Sequence, residues 1–306
     1  MPALSALCSA GHSILSVVTQ PDRKKGRGLL LAKTAIKELA EKEGIPVFQP
    51  EKINTAHAAD FLKKFAPEVF VVIAYGQLLS REILAIPTVF PINIHASLLP
   101  KYRGAAPINW ALINGEGATG ITVIQMTVPM DAGPVLLNKE IEIGPHVTAA
   151  TLENILAHEA ASILLRALVK IEKNDITPRA QNEKEATYAP KLTKQSGLIQ
   201  WGSSAQQILN LIRGCNNWPG AFTYLHGTCF KIHKASLYQE PAAGQVLGSS
   251  YPGEIVRVSK DGILVACLNS MVRIDELQIE GKKRMGILEF LAGHTIKEGE
   301  ILKTTK

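Results

Sequence analysis

The sequence predicts an α/β fold: a Rossmann-like, mostly parallel sheet domain followed by a small open β-barrel of the OB-like type. Three observations predict it. Through the first half, short apolar β-branched runs alternate with segments of helical period, the pattern of βαβ units around a sheet covered on both faces. A polar stretch then interrupts the pattern, and beyond it several short strand-like runs sit between Gly-containing turns, as in a small barrel. The length of 306 residues suits two domains at roughly 150 residues each. The boundaries expected are 1–173 for the first domain, 174–200 for a linker and 201–306 for the barrel.

In order, Pro2 to Ala10 has helical character, and Ile14–Thr19 is a buried strand. Thr34 to Glu43 places Ile36, Leu39 and Ala40 on one helix face and stops at Gly44. Pro46–Gln49 is a short strand, 56–65 a polar helix, and 69–75 the strongest strand in the chain. Strands at 91–95 and 121–126 follow, then a hairpin-like pair over 135–143 and an apolar helix over 150–171. The polar residues from Glu172 to Gln200 read as the linker. Past Trp201 come a helix over 205–213 and strands near 229–235, 253–258, 263–267 and 272–277.

Composition narrows the function classes. No run approaches the ~18 apolar residues of a membrane span, and residues 1–7 lack the charged and apolar regions of a signal peptide. Cys8, Cys215, Cys229 and Cys267 are scattered without a C-x-x-C pair, as expected of reduced core thiols in the cytoplasm. The histidines lack ligand spacing, so no metal is expected. A formal charge of +6 favours an anionic partner.

The chemistry-bearing stretch is Asn93-Ile94-His95-Ala96-Ser97-Leu98-Leu99-Pro100-Lys101-Tyr102-Arg103-Gly104. Asn93 and His95, two apart at the end of a strand, share one face, and the carboxyl ends of strands are where α/β sheets bind ligands. A carboxamide can stabilise an oxyanion while an imidazole moves a proton near neutrality. Asp131, in a turn after a later strand, could hold the imidazole in one tautomer. Taken singly, these are also an ordinary polar pair and an ordinary turn aspartate. Their conjunction carries the weight.

That conjunction resembles the formyltransferase family that uses 10-formyltetrahydrofolate: N-x-H, then S-L-L-P, a basic residue, R-G and A-P, with D-x-G downstream. Here these are Asn93, His95, Ser97 to Pro100, Arg103-Gly104, Ala106-Pro107 and Asp131-Ala132-Gly133. The resemblance implies Asn93, His95 and Asp131 as the catalytic trio. It also implies Ser97, Leu98, Leu99 and Pro100 as the folate site, with 10-formyltetrahydrofolate as co-substrate and no metal.

For the acceptor, the resemblance implies initiator methionyl-tRNA. The basic segment Thr19 to Gly28 is similar to the Q-P-D-R…G-R-G loop of the tRNA-acting branch, which makes Arg23, Lys24, Lys25 and above all Arg27 expected contacts. The second domain resembles that branch's tRNA-binding barrel at Trp201, Asn217 to Phe222 and Gly227 to Ala235, with Lys231, Lys234, Lys282, Lys283 and Arg284 as phosphate contacts. Trp218 is expected to pack rather than stack on a base. Residues 33–54 are similar as well. The alternative acceptor is an amino sugar nucleotide, because Lys101 to Gly104 and Asn109 to Glu116 also resemble that branch; a truncated, inactive folate- or tRNA-binding relative is the non-enzyme reading. A monomer is expected. Family members open with a strand and a G-T-P-type turn before the first helix, whereas this sequence begins inside it. A central strand's loss would strand backbone N–H and C=O groups, so roughly a dozen further residues are expected before Met1, a matter for the native protein's intact mass.

Overall fold

The computed structural model describes residues 1–25, 30–238, 250–268 and 270–306. In chain order the first elements are α1 (Pro2–Ser9), β1 (Val17–Val18), β2 (Arg23–Lys25), β3 (Leu30–Ala32), α2 (Ala35–Lys42) and β4 (Val47–Phe48). Next come α3 (Ala56–Lys63), β5 (Val69–Val72), α4 (Arg81–Leu84), β6 (Phe90–His95), α5 (Pro107–Ile113), β7 (Ala118–Gln125), β8 (Val135–Glu142) and α6 (Ala149–Glu172). The rest are α7 (Ala205–Gly214), β9 (Ala221–Leu225), β10 (Thr228–Leu237), β11 (Ile255–Ser259), β12 (Gly262–Ala266), β13 (Met271–Ile279), β14 (Met285–Gly286) and α8 (Ile287–Gly293). The chain divides into two units. The first is Met1–Pro107, Ala118–Glu142 and Glu153–Ala189; the second is Ile108–Gly117, Ile143–Leu152 and Pro190–Lys306.

Helix starts follow local chemistry. Thr34, Thr55 and Ser80 each accept a backbone N–H from three residues on, capping α2, α3 and α4, and Ser204 with Gln207 forms a reciprocal capping box at α7.

In the first unit, β5 and β6 pair in parallel, whereas β6/β7 and β7/β8 are antiparallel. The sheet is therefore mixed rather than mostly parallel. Residues 135–142 form one extended strand, β8, returning antiparallel beside β7, and not a hairpin of their own. β1 pairs in parallel with β4 as a separate two-stranded sheet. β6 is central in the larger sheet, with Pro91, Ile92, Ile94 and His95 buried, so its carboxyl end opens from a rigid element. Ile53, Ala58, Leu62 and Ile83 form a second core, against which Val18, Phe48 and Phe70 pack.

The named strands of the second unit pair antiparallel, in the order β11-β12-β13-β10-β9, with β14 beside β13. The strand path is open. Its two edges are joined by isolated bridges through the last segment, Glu254 to Ile301 and Tyr224 to Lys303. The core is Ile199, Trp201, Ile208, Phe230, Val265 and Phe290 with their neighbours. Among the described residues, no helix is long and apolar enough to cross a membrane.

Candidate active site

The site is built on the carboxyl end of β6 and the loop that leaves it. Thr122, fully buried on neighbouring β7, fastens that loop: its hydroxyl donates to the Ser97 carbonyl at 2.7 Å and accepts the Leu99 N–H at 3.1 Å. Ser97 Oγ donates to the Lys101 carbonyl at 2.6 Å. The Leu99–Pro100 bond is cis, and Tyr102 is left-handed with φ 61°. The backbone then turns its Tyr102 carbonyl onto the His95 ring, 2.9 Å from Nε2. A carbonyl only accepts, so Nε2 carries a proton.

The other ring nitrogen, Nδ1, lies 3.6 Å from Asp131 Oδ2. Both nitrogens thus face oxygen acceptors. Asp131 Oδ2 also accepts the Gly104 N–H at 2.9 Å, and Asn93 Nδ2 donates to Oδ1 at 3.4 Å. Asn93, His95 and Asp131 therefore converge, with Asn93 half-buried and His95 buried. Asp131 sits at φ 53°, a conformation that Asp and Asn tolerate better than most residues. Gly104, at φ 121°, has no room for a side chain, since a Cβ would lie 2.8 Å from the Ala189 carbonyl oxygen.

Of the other residues singled out in the sequence, Ser97 and Leu99 point into the protein; Leu99 packs with Ile124 and Val135. Leu98 and Pro100 are half-buried. A cleft of about 430 Å³ is lined by Phe48, Gln49, Pro50, Glu51, Lys52, Thr55 and His57; none of the trio belongs to it.

The basic segment folds as an antiparallel hairpin, β2 with β3. Arg23 and Lys24 are exposed there, and Arg27 lies outside the described residues. The hairpin's base is anchored: Lys37 Nζ donates to Asp22 Oδ2 and to Gln49 Oε1, both at 2.7 Å, while Gln49 Nε2 donates to Asp22 Oδ1 at 2.8 Å. These bonds hold the Asp22 carboxyl below its ordinary range.

Lys231 and Lys234 are three apart, a spacing that in a regular strand gives opposite faces. The pairing of β10 with β13 passes over His233, with Ile232 opposite Leu277 and Lys234 opposite Glu276. This extra residue keeps both lysines exposed while Phe230 and Ile232 stay in the core. Lys283 and Arg284 are ion-paired to Glu289 and Glu276. Trp218 is 49% exposed and is not the core anchor expected; the buried residues at that turn are Pro219 and Gly220.

The family model described as "Formyl transferase" matches residues 3–168, and "Formyl transferase, C-terminal domain" matches 191–295. The chain belongs to the formyl transferase family. Its relatives in that family include the methionyl-tRNA formyltransferases of Alkaliphilus oremlandii, 45% identical over 99% of this chain and 96% of that protein, and of Caldanaerobacter subterraneus subsp. tengcongensis, 46% identical with the same coverage. Among solved structures of like fold is an N-formyltransferase from Helicobacter canadensis in complex with folinic acid and dTDP-3-aminofucose. Its TM-score is 0.65 at 17% identity, covering 92% of this chain and 94% of that one.

Two residues of this formyl transferase escaped the sequence reading. Arg103, 3% exposed, donates through Nε and Nη2 to Gln181 Oε1 and through Nη1 and Nη2 to Glu183. Gln181 Nε2 donates to the carbonyls of Asp131 and Gly133 at 2.8 and 2.7 Å. Arg103 stood in the motif, yet nothing in its spacing showed it to be buried. Gln181 lay in the polar stretch read as a linker. That stretch is bonded to the first unit: Arg179 exchanges backbone hydrogen bonds with Val135, and Thr187 and Ala189 bond to Pro100, Arg103 and Ala106.

Proposed function

We propose that the chain transfers the formyl group of 10-formyltetrahydrofolate to the α-amino group of initiator methionyl-tRNA. The products are N-formylmethionyl-tRNA for translation initiation and tetrahydrofolate. The observation that carries this reading is identity of 45% and 46% to methionyl-tRNA formyltransferases across 99% of the chain. The convergence of an amide, an imidazole and a carboxylate at one strand end supports it.

The neutral methionyl amine attacks the N10-formyl carbon. Charge then develops on the formyl oxygen, where the second N–H of Asn93 Nδ2 and His95 through Nδ1, which no hydrogen bond ties to Asp131 at 3.6 Å, are the donors. Removing one such donor costs ~10²–10³ in rate in comparable sites. Asp131 holds the His95 ring in orientation and, through water, assists loss of the proton from the attacking nitrogen. Collapse of the tetrahedral species breaks the bond from carbon to N10, and N10 takes up a proton as tetrahydrofolate leaves.

The folate lies along the loop of Ser97, Leu98, Leu99 and Pro100. Leu98, Pro100 and the loop backbone are the surfaces it meets, because the side chains of Ser97 and Leu99 are turned inward. The tRNA is met by the basic segment at Arg23, Lys24, Lys25 and Arg27, and by Lys231 and Lys234 on β10. The enzyme works as a cytoplasmic monomer.

Labelled 10-formyltetrahydrofolate offered with methionyl-tRNA, or with an amino sugar nucleotide, tests the reading. Labelled formylmethionyl-tRNA is the expected product. Label on the sugar instead, or folate and tRNA binding without product, would overturn it.

A further inference from the structure

We infer that Gln181, locked by the buried guanidinium of Arg103, is a positioning residue for Asp131; the inference rests on the formyl-transfer reading above. The side-chain amide of Gln181 lies between two sets of partners that fix its orientation. On one side are two carbonyl oxygens, of Asp131 and Gly133, which can only accept, so the nitrogen faces them at 2.8 and 2.7 Å. On the other side are Nε and Nη2 of Arg103, which can only donate, so the oxygen faces them at 3.1 and 2.7 Å. No other rotation of the amide satisfies all four bonds.

The clamp grips the turn where it has the least freedom of its own to stay in place. Asp131 is left-handed at φ 53°, a conformation that persists only when its surroundings impose it. Two donors impose it: the Gly104 N–H on the carboxylate and the Gln181 amide on the carbonyl of the same residue. Together they aim Oδ2 at His95 Nδ1. Arg103 is 3% exposed, and its bidentate pairing with Glu183 satisfies the guanidinium edges that Gln181 leaves open. The sequence neighbours Arg103 and Gly104 thus act on Asp131 by two routes, one through the main chain of Gly104 and one through a side chain near residue 180.

Gln181 touches no reacting atom in this scheme, so its removal should slow the chemical step without weakening substrate binding. Gln181→Leu is expected to lower kcat about 10- to 100-fold, the scale of a sub-ångström to ångström misplacement, with both KM values within about twofold. In an Asp131→Asn background the same substitution is expected to change kcat less than about twofold, because the carboxylate it aims is gone. A residue that merely supports the fold would lower activity by the same factor in both backgrounds, and that result overturns the inference, as does a Gln181→Leu kcat within twofold of the parent. Should Gln181→Leu fail to fold by thermal unfolding, Gln181→Asn, one methylene shorter, is judged by the same criteria.

A second readout needs no acceptor. A crystal structure of Gln181→Leu is expected to show the Asp131 carboxylate drawn away from His95 Nδ1, beyond the 3.6 Å of the parent, and an unmoved carboxylate counts against the clamp. If the parent protein forms no formylmethionyl-tRNA, the proposed function fails, and the clamp then stands or falls on the separation of Asp131 from His95.

Discussion

His95 Nδ1 and Asp131 Oδ2 lie 3.6 Å apart, and the same carboxylate oxygen accepts the Gly104 N–H at 2.9 Å. One oxygen therefore serves both the imidazole and the backbone of the loop that shapes the site. Substitutions at 131 should separate the two roles. Asp131→Asn can keep the left-handed backbone and an acceptor for Gly104 while losing the charge; kcat is expected to fall at least ~10²-fold with little change in melting temperature. Asp131→Ala removes the acceptor as well and places a residue that adopts φ 53° less readily than Asp or Asn there, costing a further ~1–2 kcal/mol of stability. Denaturant unfolding of the two variants side by side checks the split.

Among the described residues, Asn93 Nδ2 holds one long bond, to Asp131 at 3.4 Å, which leaves its second N–H for the proposed oxyanion. Asn93→Ala is expected to lose ~10²–10³ in kcat with KM for folate and tRNA nearly unchanged. Steady-state kinetics in both substrates measures this; a loss confined to KM would remove Asn93 from the oxyanion role.

The two β10 lysines face solvent together because His233 is an extra residue in the strand. If both meet phosphates, Lys231→Gln and Lys234→Gln should each raise KM for tRNA and leave kcat alone. Each should also reduce the slope of log affinity against log salt by about one. A filter-binding series over salt concentration gives the slope, and an unchanged slope in both variants removes β10 from the tRNA contact.

Acid should weaken the fold through identifiable carboxylates. Hydrogen bonding from Arg103 holds the Glu183 carboxyl below its usual range, and bonds from Lys37 and Gln49 do the same for Asp22. A carboxyl depressed in the folded state stabilises it above the unfolded pKa, and that stabilisation is lost as pH falls through the folded value. Melting temperature is thus expected to be level from about pH 8 to about 5 and to drop below about pH 4, where unfolded carboxylates protonate. Asp22→Asn should lower the neutral plateau and flatten the acid limb, as thermal unfolding across this range will register.

Much of the fold was legible because burial writes itself into sequence. The strand at 90–95 and the helices opening at Thr34, Thr55 and Ser204 follow from β-branched runs and hydroxyl caps. Sheet direction was less legible: 135–142 is one strand, and only its return beside β7 makes the pairing antiparallel. At the candidate site, Asn93, His95 and Asp131 could be picked out because an amide, an imidazole and a carboxylate are groups suited to acyl transfer. Ser97 and Leu99 share the motif but are turned inward, since the loop is fixed by Thr122 on the adjacent strand, a relation no local pattern encodes. Gln181 was hidden for a similar reason. It acts on main-chain carbonyls, which every residue has, from within a polar run that carries no periodicity.

The stitching of residues 179–189 onto the loops at 100–106 and 131–135 separates primary from spatial order. Asn93, His95 and Asp131 all precede α6, yet the bonds that seat their loops come from beyond it. A fragment cut after α6 would own every side chain of the proposed trio and lack its scaffolding; on that reading, catalytic competence is distributed across the long helix and does not reside in the amino-terminal half alone.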